Sequence, residues 1–217
     1  MQLSAKTINV FKNFATINTS IVLKPGNLVA TISPNKTIMA RATVPDEFPA
    51  VTGIFELNRF IGALSMFENP EVEFGNQTIA IHSNKQFMNY PFCEVSNIMV
   101  PPEKEIKLPS VDAEFNLSNK DIQSVMKGLG VLNLPEIAVV GDGANMYLCA
   151  IDSKSGSSGE YKISVGETDK AFRAIFRPEN MKIMDGDYQV QISSKGISKF
   201  VGIEATYWIA VEASSNF

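Results

Sequence analysis

A chain of 217 residues with 45% apolar and 19% charged side chains has enough apolar surface for a core, and fits one large domain or two of roughly 100 residues. Its apolar runs fall far short of the ~20 residues that cross a bilayer, and residues 1–7 hold no charged segment leading into an apolar one. The reading is therefore a soluble, intracellular protein without membrane contact. A formal charge of −4, a single histidine (His82) and two cysteines (Cys93 and Cys149) argue against a zinc site, a Ser-His-Asp device and, at first sight, a nucleic-acid partner.

The first predicted element is a helix over 5–15, capped by Ser4. At 100° per residue Ile8, Phe11, Phe14 and Ala15 share one face, and Lys6, Asn9, Lys12 and Asn13 the other. An apolar strand over 20–26 ends in the turn Pro25-Gly26, and strands over 28–32 and 37–44 follow. A second helix over 57–67 buries Leu57, Phe60, Ile61, Leu64 and Phe67 and exposes Asn58, Arg59 and Gly62. Strands are predicted over 71–74 and 78–82, the latter making His82 an ordinary strand residue. The segment 86–92 reads as a further strand, at an edge or inside a sheet. Val100-Pro101-Pro102-Glu103-Lys104-Glu105-Ile106-Lys107-Leu108-Pro109 is an extended connector, dividing the chain into domains 1–105 and 106–217.

The second half repeats the first. Leu117-Ser118-Asn119-Lys120-Asp121-Ile122 echoes Leu3-Ser4-Ala5-Lys6-Thr7-Ile8, predicting a helix over 119–129 capped by Ser118. Ile122, Val125, Met126 and Leu129 face inward, and Lys120, Gln123 and Lys127 outward. Strands follow over 136–143, 146–151, 161–165 and 171–176. After Phe176 a short helix over 178–184, with Pro178 in its first turn and Lys182 as its basic residue, matches the helix after Phe55. Its register is shifted by the Ser153-Lys154-Ser155-Gly156-Ser157-Ser158-Gly159 insertion, predicted to be a flexible loop. Strands over 188–193, 198–202 and 206–213 complete the chain. Four short helices and many strands without βαβα alternation give an α+β class: two tandem similar domains, each with two short helices on antiparallel sheets.

Charge is distributed against the overall sign. The four helices carry Lys6, Lys12, Arg59, Lys120, Lys127 and Lys182 against only Asp121 and Glu179. Both acids lie in a first turn, where the helix dipole favours them. Any one such face could be an ordinary solvated surface. Four biased alike within an acidic chain suggest a surface for a polyanion. The faces lack the aromatics that stack single-stranded bases, and no helix-turn-helix, zinc finger or RRM motif occurs, so the chemistry suits duplex phosphates contacted without reading sequence.

These residues carry a family resemblance. Phe11-Lys12-Asn13-Phe14-Ala15-Thr16-Ile17-Asn18, Glu179-Asn180-Met181-Lys182-Ile183-Met184-Asp185-Gly186-Asp187-Tyr188 and Thr206-Tyr207-Trp208-Ile209-Ala210-Val211-Glu212-Ala213, with Lys199-Phe200 and Phe217 in order, make the chain resemble the DNA polymerase sliding clamps of T-even-type tailed phages. The resemblance implies a DNA-clamp fold and a head-to-tail homotrimeric ring. Double-stranded DNA would pass through it, with the helices lining the hole and the replicative polymerase tethered to the ring. It also implies an ATP-driven clamp loader, no cofactor, and work in the cytoplasm of an infected bacterial host. By the same resemblance, partner peptides would bind a pocket formed by Met39, Ile98, Val100, Pro101, Ile209 and Ala210, residues that could equally be interdomain core.

Two other classes fit the residues less well. For an enzyme, Gly128-Leu129-Gly130 lacks the third glycine of a dinucleotide loop and follows no strand, and 152–160 puts Lys154 at a calcium-ligand position. A β-rich, ring-forming phage structural subunit would account for the strands but not for the duplicated basic helices.

Overall fold

The computed structural model describes residues 1–155 and 159–217 and resolves into two compact units, Met1–Lys104 and Glu105–Phe217. Gly156, Ser157 and Ser158 of the insertion noted above lie outside the described residues.

The first unit runs α1 (Ala5–Ile17), β1 (Ile21–Leu23), β2 (Gly26–Ile32), β3 (Ile38–Phe48), β4 (Thr52–Ile54), α2 (Leu57–Ser65), β5 (Glu71–Phe74), β6 (Thr78–Ser83) and β7 (Gln86–Pro91). All its pairings are antiparallel: β1 with β4, β2 with β3, and the meander β5-β6-β7. Met1 extends the meander by one residue, exchanging backbone hydrogen bonds of 2.7 and 2.9 Å with Val72. Apolar periodicity in α1 buries Val10, Phe11, Phe14, Ala15 and Ile17, and in α2 Leu57, Phe60, Ala63 and Leu64. Phe11 stacks on Phe48 of β3 and meets Phe60 of α2; Phe48 packs edge-on to Phe74, and Phe60 edge-on to Tyr90. One aromatic chain thus ties both helices to three strands, in the offset and T-shaped geometries that ring quadrupoles favour.

The second unit runs β8 (Ala113–Leu117), α3 (Asn119–Leu132), β9 (Glu136–Asp142), β10 (Asn145–Ile151), β11 (Tyr161–Glu167), β12 (Ala171–Phe176), β13 (Tyr188–Ser193), β14 (Ile197–Val201) and β15 (Thr206–Ala210). One sheet has the order β11-β10-β9-β12, and β8, β13, β14 and β15 lie side by side in that order. Every pairing is antiparallel. Strand β8, unforeseen in the sequence, pairs with β13 ahead of α3, as Met1 pairs with β5 ahead of α1. Strands β12 and β13 hold the bounds read from alternation.

Two predicted elements differ. The helix over 178–184 is a single 3-10 turn, Pro178–Asn180. Beyond it Met184 is held in irregular chain: its N–H donates to Tyr207 Oη (3.1 Å), and Tyr188 Oη donates to its carbonyl (2.5 Å). Both tyrosines are buried, and burial pushes the Tyr207 hydroxyl up to about 12. With a backbone N–H and C=O committed to side chains, helical bonds cannot continue. Strand β15 stops at Ala210, three residues early, because Val211 donates to Gly196 and Glu212 donates to the Ile175 carbonyl, which turns the chain toward β12. The molecule has three α-helices among the described residues.

Candidate nucleic-acid interface

Helix α1 begins where Ser4 Oγ accepts the Thr7 N–H (3.2 Å). A distant carboxylate completes this cap. Asp46 Oδ2, from β3, accepts the Ser4 N–H (2.9 Å), the Ser4 hydroxyl (2.7 Å) and the Thr7 hydroxyl. Partial burial alone would raise the Asp46 carboxyl, but these hydrogen bonds outweigh it and hold the group below its ordinary 3.8. Helix α3 repeats the device. Ser118 Oγ accepts the Asp121 N–H (3.2 Å), and Asp187, from the turn before β13, accepts the Asn119 N–H (2.8 Å). Asp185 of that turn accepts from the Gln123 amide (3.4 Å). No local pattern could have revealed Asp46 or Asp187 as remote caps, since they lie 42 and 68 positions from the groups they bind.

A depressed carboxyl stabilises the fold above its unfolded pKa and loses that contribution as pH falls through its folded value. Asp46→Ala should therefore cost about 1–2 kcal/mol at pH 7, read as a lowered midpoint in urea. The gap from the parent should close as pH drops below about 4. A gap independent of pH would mean that the carboxylate's charge is not what stabilises the helix end.

The basic residues fall into two groups, one in each unit. In the first, Lys12 and Arg59 are exposed and Lys6 half-buried, on helices α1 and α2 that pack through Phe11 and Phe60. Arg59 is not a bare cation, for it meets Glu56 at 3.0 Å, an acid just outside the helix. In the second, Lys120 and Lys127 are exposed on α3, and Lys182 is exposed on the irregular segment whose Asp185 and Asp187 bind the first turn of α3. The structure thus keeps Lys182 in the α3 neighbourhood although its helix does not form. Met126, read as inward, is 38% exposed. Tyr161 of β11 lies against Gly128 instead; a Cβ there would stand 2.7 Å from its ring, so the helix meets the strand through glycine.

Of the residues assigned by resemblance to a peptide pocket, Met39, Ile98 and Ile209 are buried, Pro101 and Ala210 half-buried, and Val100 is exposed. Within the first unit Val100 and Pro101 line a groove of about 170 Å³ with Val22, Leu28, Ala30 and Arg41. The connector is held over it by Arg41 Nη2, which donates to the carbonyls of Pro102, Glu103 and Lys104, and by a Lys24–Glu103 ion pair of 2.7 Å. Leu28, 52% exposed on β2, was missed because alternation marks it as strand without showing that its outward face borders the connector.

Chemical candidates elsewhere are ordinary. His82 sits on β6 beside Glu73 (3.2 Å). Burial pushes the Cys149 thiol up to about 11, leaving it protonated at neutral pH. No helix among the described residues is long and apolar enough to cross a membrane.

Comparisons with known proteins agree with this arrangement. Residues 4–99 match the DNA polymerase processivity factor family, and residues 114–213 the gp45 sliding clamp C-terminal family. A sliding clamp of Vibrio phage KVP40 is 32% identical over 98% of this chain and 100% of its own, and that of Enterobacteria phage T4 is 31% identical over 100% and 99%. Among solved structures, an A. fulgidus PCNA bound to the C-terminal region of FEN-1 superposes with a TM-score of 0.72 at 12% identity, covering 99% of this chain and 98% of its own. A Helicobacter pylori beta clamp bound to a DNA ligase peptide gives 0.72 at 10% identity, over 98% of this chain and 65% of its own. The two-unit clamp fold, the paired capped lysine helices and these relatives identify the chain as a member of the phage sliding-clamp family, the processivity factors of DNA polymerase.

Proposed function

We propose that three copies of this chain close head to tail into a ring around double-stranded DNA, and that the ring is a passive tether without catalytic activity of its own. The observation that carries this reading is the duplication of one device: in each unit a serine-capped helix, anchored by a remote aspartate, bears outward lysines. Flexible lysines reaching phosphates hold a duplex weakly and without sequence preference, which permits sliding. Lys6, Lys12, Arg59, Lys120, Lys127 and Lys182 are the DNA-facing set.

Closure needs a heterologous contact, one face of each copy against a different face of the next. The first unit offers edge strand β7 beside α2, where Phe55 and Met66 are exposed around a groove of about 520 Å³ and Phe87 is exposed on β7 outside it. The second offers edge strand β11 beside α3, where Tyr161, Met126, Val131 and Leu132 are exposed. An apolar recess and an apolar helix end, each beside an unpaired edge, are complementary in kind, and the occupant of each is a second copy of this chain. One solved relative of the same fold is a PCNA2–PCNA3 complex, a contact between clamp chains.

The groove under residues 100–104 is where we place an extended peptide of the replicative polymerase; the peptide complexes of the A. fulgidus and Helicobacter pylori clamps favour that reading. An ATP-driven loader acting in the host cytoplasm would open the ring. Light scattering across a concentration series tests closure. Three copies of the 23.8 kDa chain make about 71 kDa, and a species that stays near 24 kDa at high concentration would end the ring reading.

A further inference from the structure

Strand edges decide which copies of a chain can join, and this chain closes one of them with its own backbone. Strand β12 is the edge of the sheet β11-β10-β9-β12 opposite β11. Its outward backbone groups at Arg173 and Ile175 are all taken by residues 212–216. The Arg173 N–H donates to the Asn216 carbonyl (2.8 Å), and the Asn216 N–H returns to the Arg173 carbonyl (3.0 Å). The Ile175 N–H donates to Ser215 Oγ (2.8 Å), and its carbonyl accepts the Glu212 N–H (2.8 Å). Side chains hold the segment down: Phe217 stacks on Phe172 at 5.7 Å with planes 2° apart, and Glu212 meets Arg177 Nε at 3.1 Å. The first unit carries the counterpart. After β7 the chain bends back so that the Cys93 N–H donates to the Gly53 carbonyl of β4 (2.9 Å). The approach is so close that a Cβ on Gly53 would stand 2.4 Å from the Cys93 carbonyl oxygen. Strands β7 and β11 have no backbone partner on their outer sides among the described residues.

We propose that residues 212–217 are an edge guard: a built-in stretch of strand that closes β12 to other copies of this chain and so keeps it from competing with β7 and β11 as a joining edge. This rests on the ring reading above. A ring needs two joining edges per chain, and an open β12, on the far side of the sheet that carries β11, would offer a strand-pairing site that permits branching or open-ended growth. The segment suits the role because it satisfies the same groups that an incoming strand would use.

The test is Ser215→Ala with Asn216→Pro, which removes the acceptor for Ile175 and the donor to Arg173, compared with the parent chain by sedimentation velocity at several concentrations. The expected result is species heavier than the parent assembly, growing with concentration, with the weight-average mass at least doubled at the highest concentration. Adding a synthetic peptide of residues 211–217 in excess should reverse the growth. Phe217→Ala, which leaves the backbone bonds intact, should give a smaller shift in the same direction and serves as the second variant if the double substitution does not fold. Variants that keep the parent's mass at every concentration would overturn the proposal. A parent that is itself monomeric would overturn the ring reading, while the difference between variant and parent still judges the guard.

Discussion

Replacing Lys6, Lys12, Lys120 and Lys127 together by glutamine should abolish most of the stimulation this chain gives its polymerase on long primed templates, while leaving the fold and the solution mass unchanged. The four side chains project from capped helices whose buried faces are apolar, so their loss removes no core contact. What is lost is phosphate neutralisation. Each lysine–phosphate contact contributes about 0.9 to the slope of log affinity against log salt, and losing several together weakens non-specific association by on the order of a hundredfold. Product length measured at rising salt reads this directly. The variant's shortfall should be largest at low ionic strength, where phosphate neutralisation contributes most, and should narrow as rising salt weakens the parent's own contacts. An undiminished response would remove the lysines from the DNA-facing wall. Arg59→Gln alone should do far less, because Glu56 already accompanies that charge at 3.0 Å.

The second large effect is expected at the joining edges. Phe87 on β7 is 65% exposed and Val131 near the end of α3 is 73% exposed, a degree of exposure that a solitary chain gains nothing from. Phe87→Asp should leave the thermal stability of the separate chain within about 0.5 kcal/mol of the parent, as for other surface changes. In the assembly it should act as a hot-spot loss of 2 kcal/mol or more at each joint. A closed ring breaks when one joint opens, so a single substitution repeated in every copy should move the mass at micromolar concentration from about 71 to about 24 kDa. Val131→Asp should do the same from the other side. A variant that stays assembled would place the joint elsewhere.

Much of this was legible in the chain itself, and the reasons are local. Apolar spacing at helical period located α1, α2 and α3 because each must bury one face, and Ser4 and Ser118 marked two starts because a hydroxyl there satisfies an otherwise unpaired N–H. Alternation located β5, β12 and β13 to the residue. The failures were non-local. Residues 178–184 have a helix-like beginning, but Tyr188 and Tyr207 capture the backbone of Met184 and stop the turn. Strand β8 is the exception, since Ala113-Glu114-Phe115-Asn116-Leu117 alternates apolar and polar and buries accordingly, a local signal that was there to be read. The exposure of Lys12, Lys120 and Lys127 followed from helical phase, whereas that of Lys182 did not, since its helix does not form. The remote caps Asp46 and Asp187 and the closure of β12 by residues 212–217 depend on chain segments that only the fold brings together.

The most direct test of the tether is topological. The chain is loaded by the clamp loader proposed above onto a nicked circular plasmid, passed over a sizing column in about 0.5 M salt, where exposed charge contacts are largely screened, and the plasmid is then cut once by a restriction enzyme. The account predicts that the protein stays with the circle through the salt wash and is released within minutes of the cut, because a ring slides off a free end. Protein that washes off the intact circle, or that remains bound after the cut, would contradict encirclement.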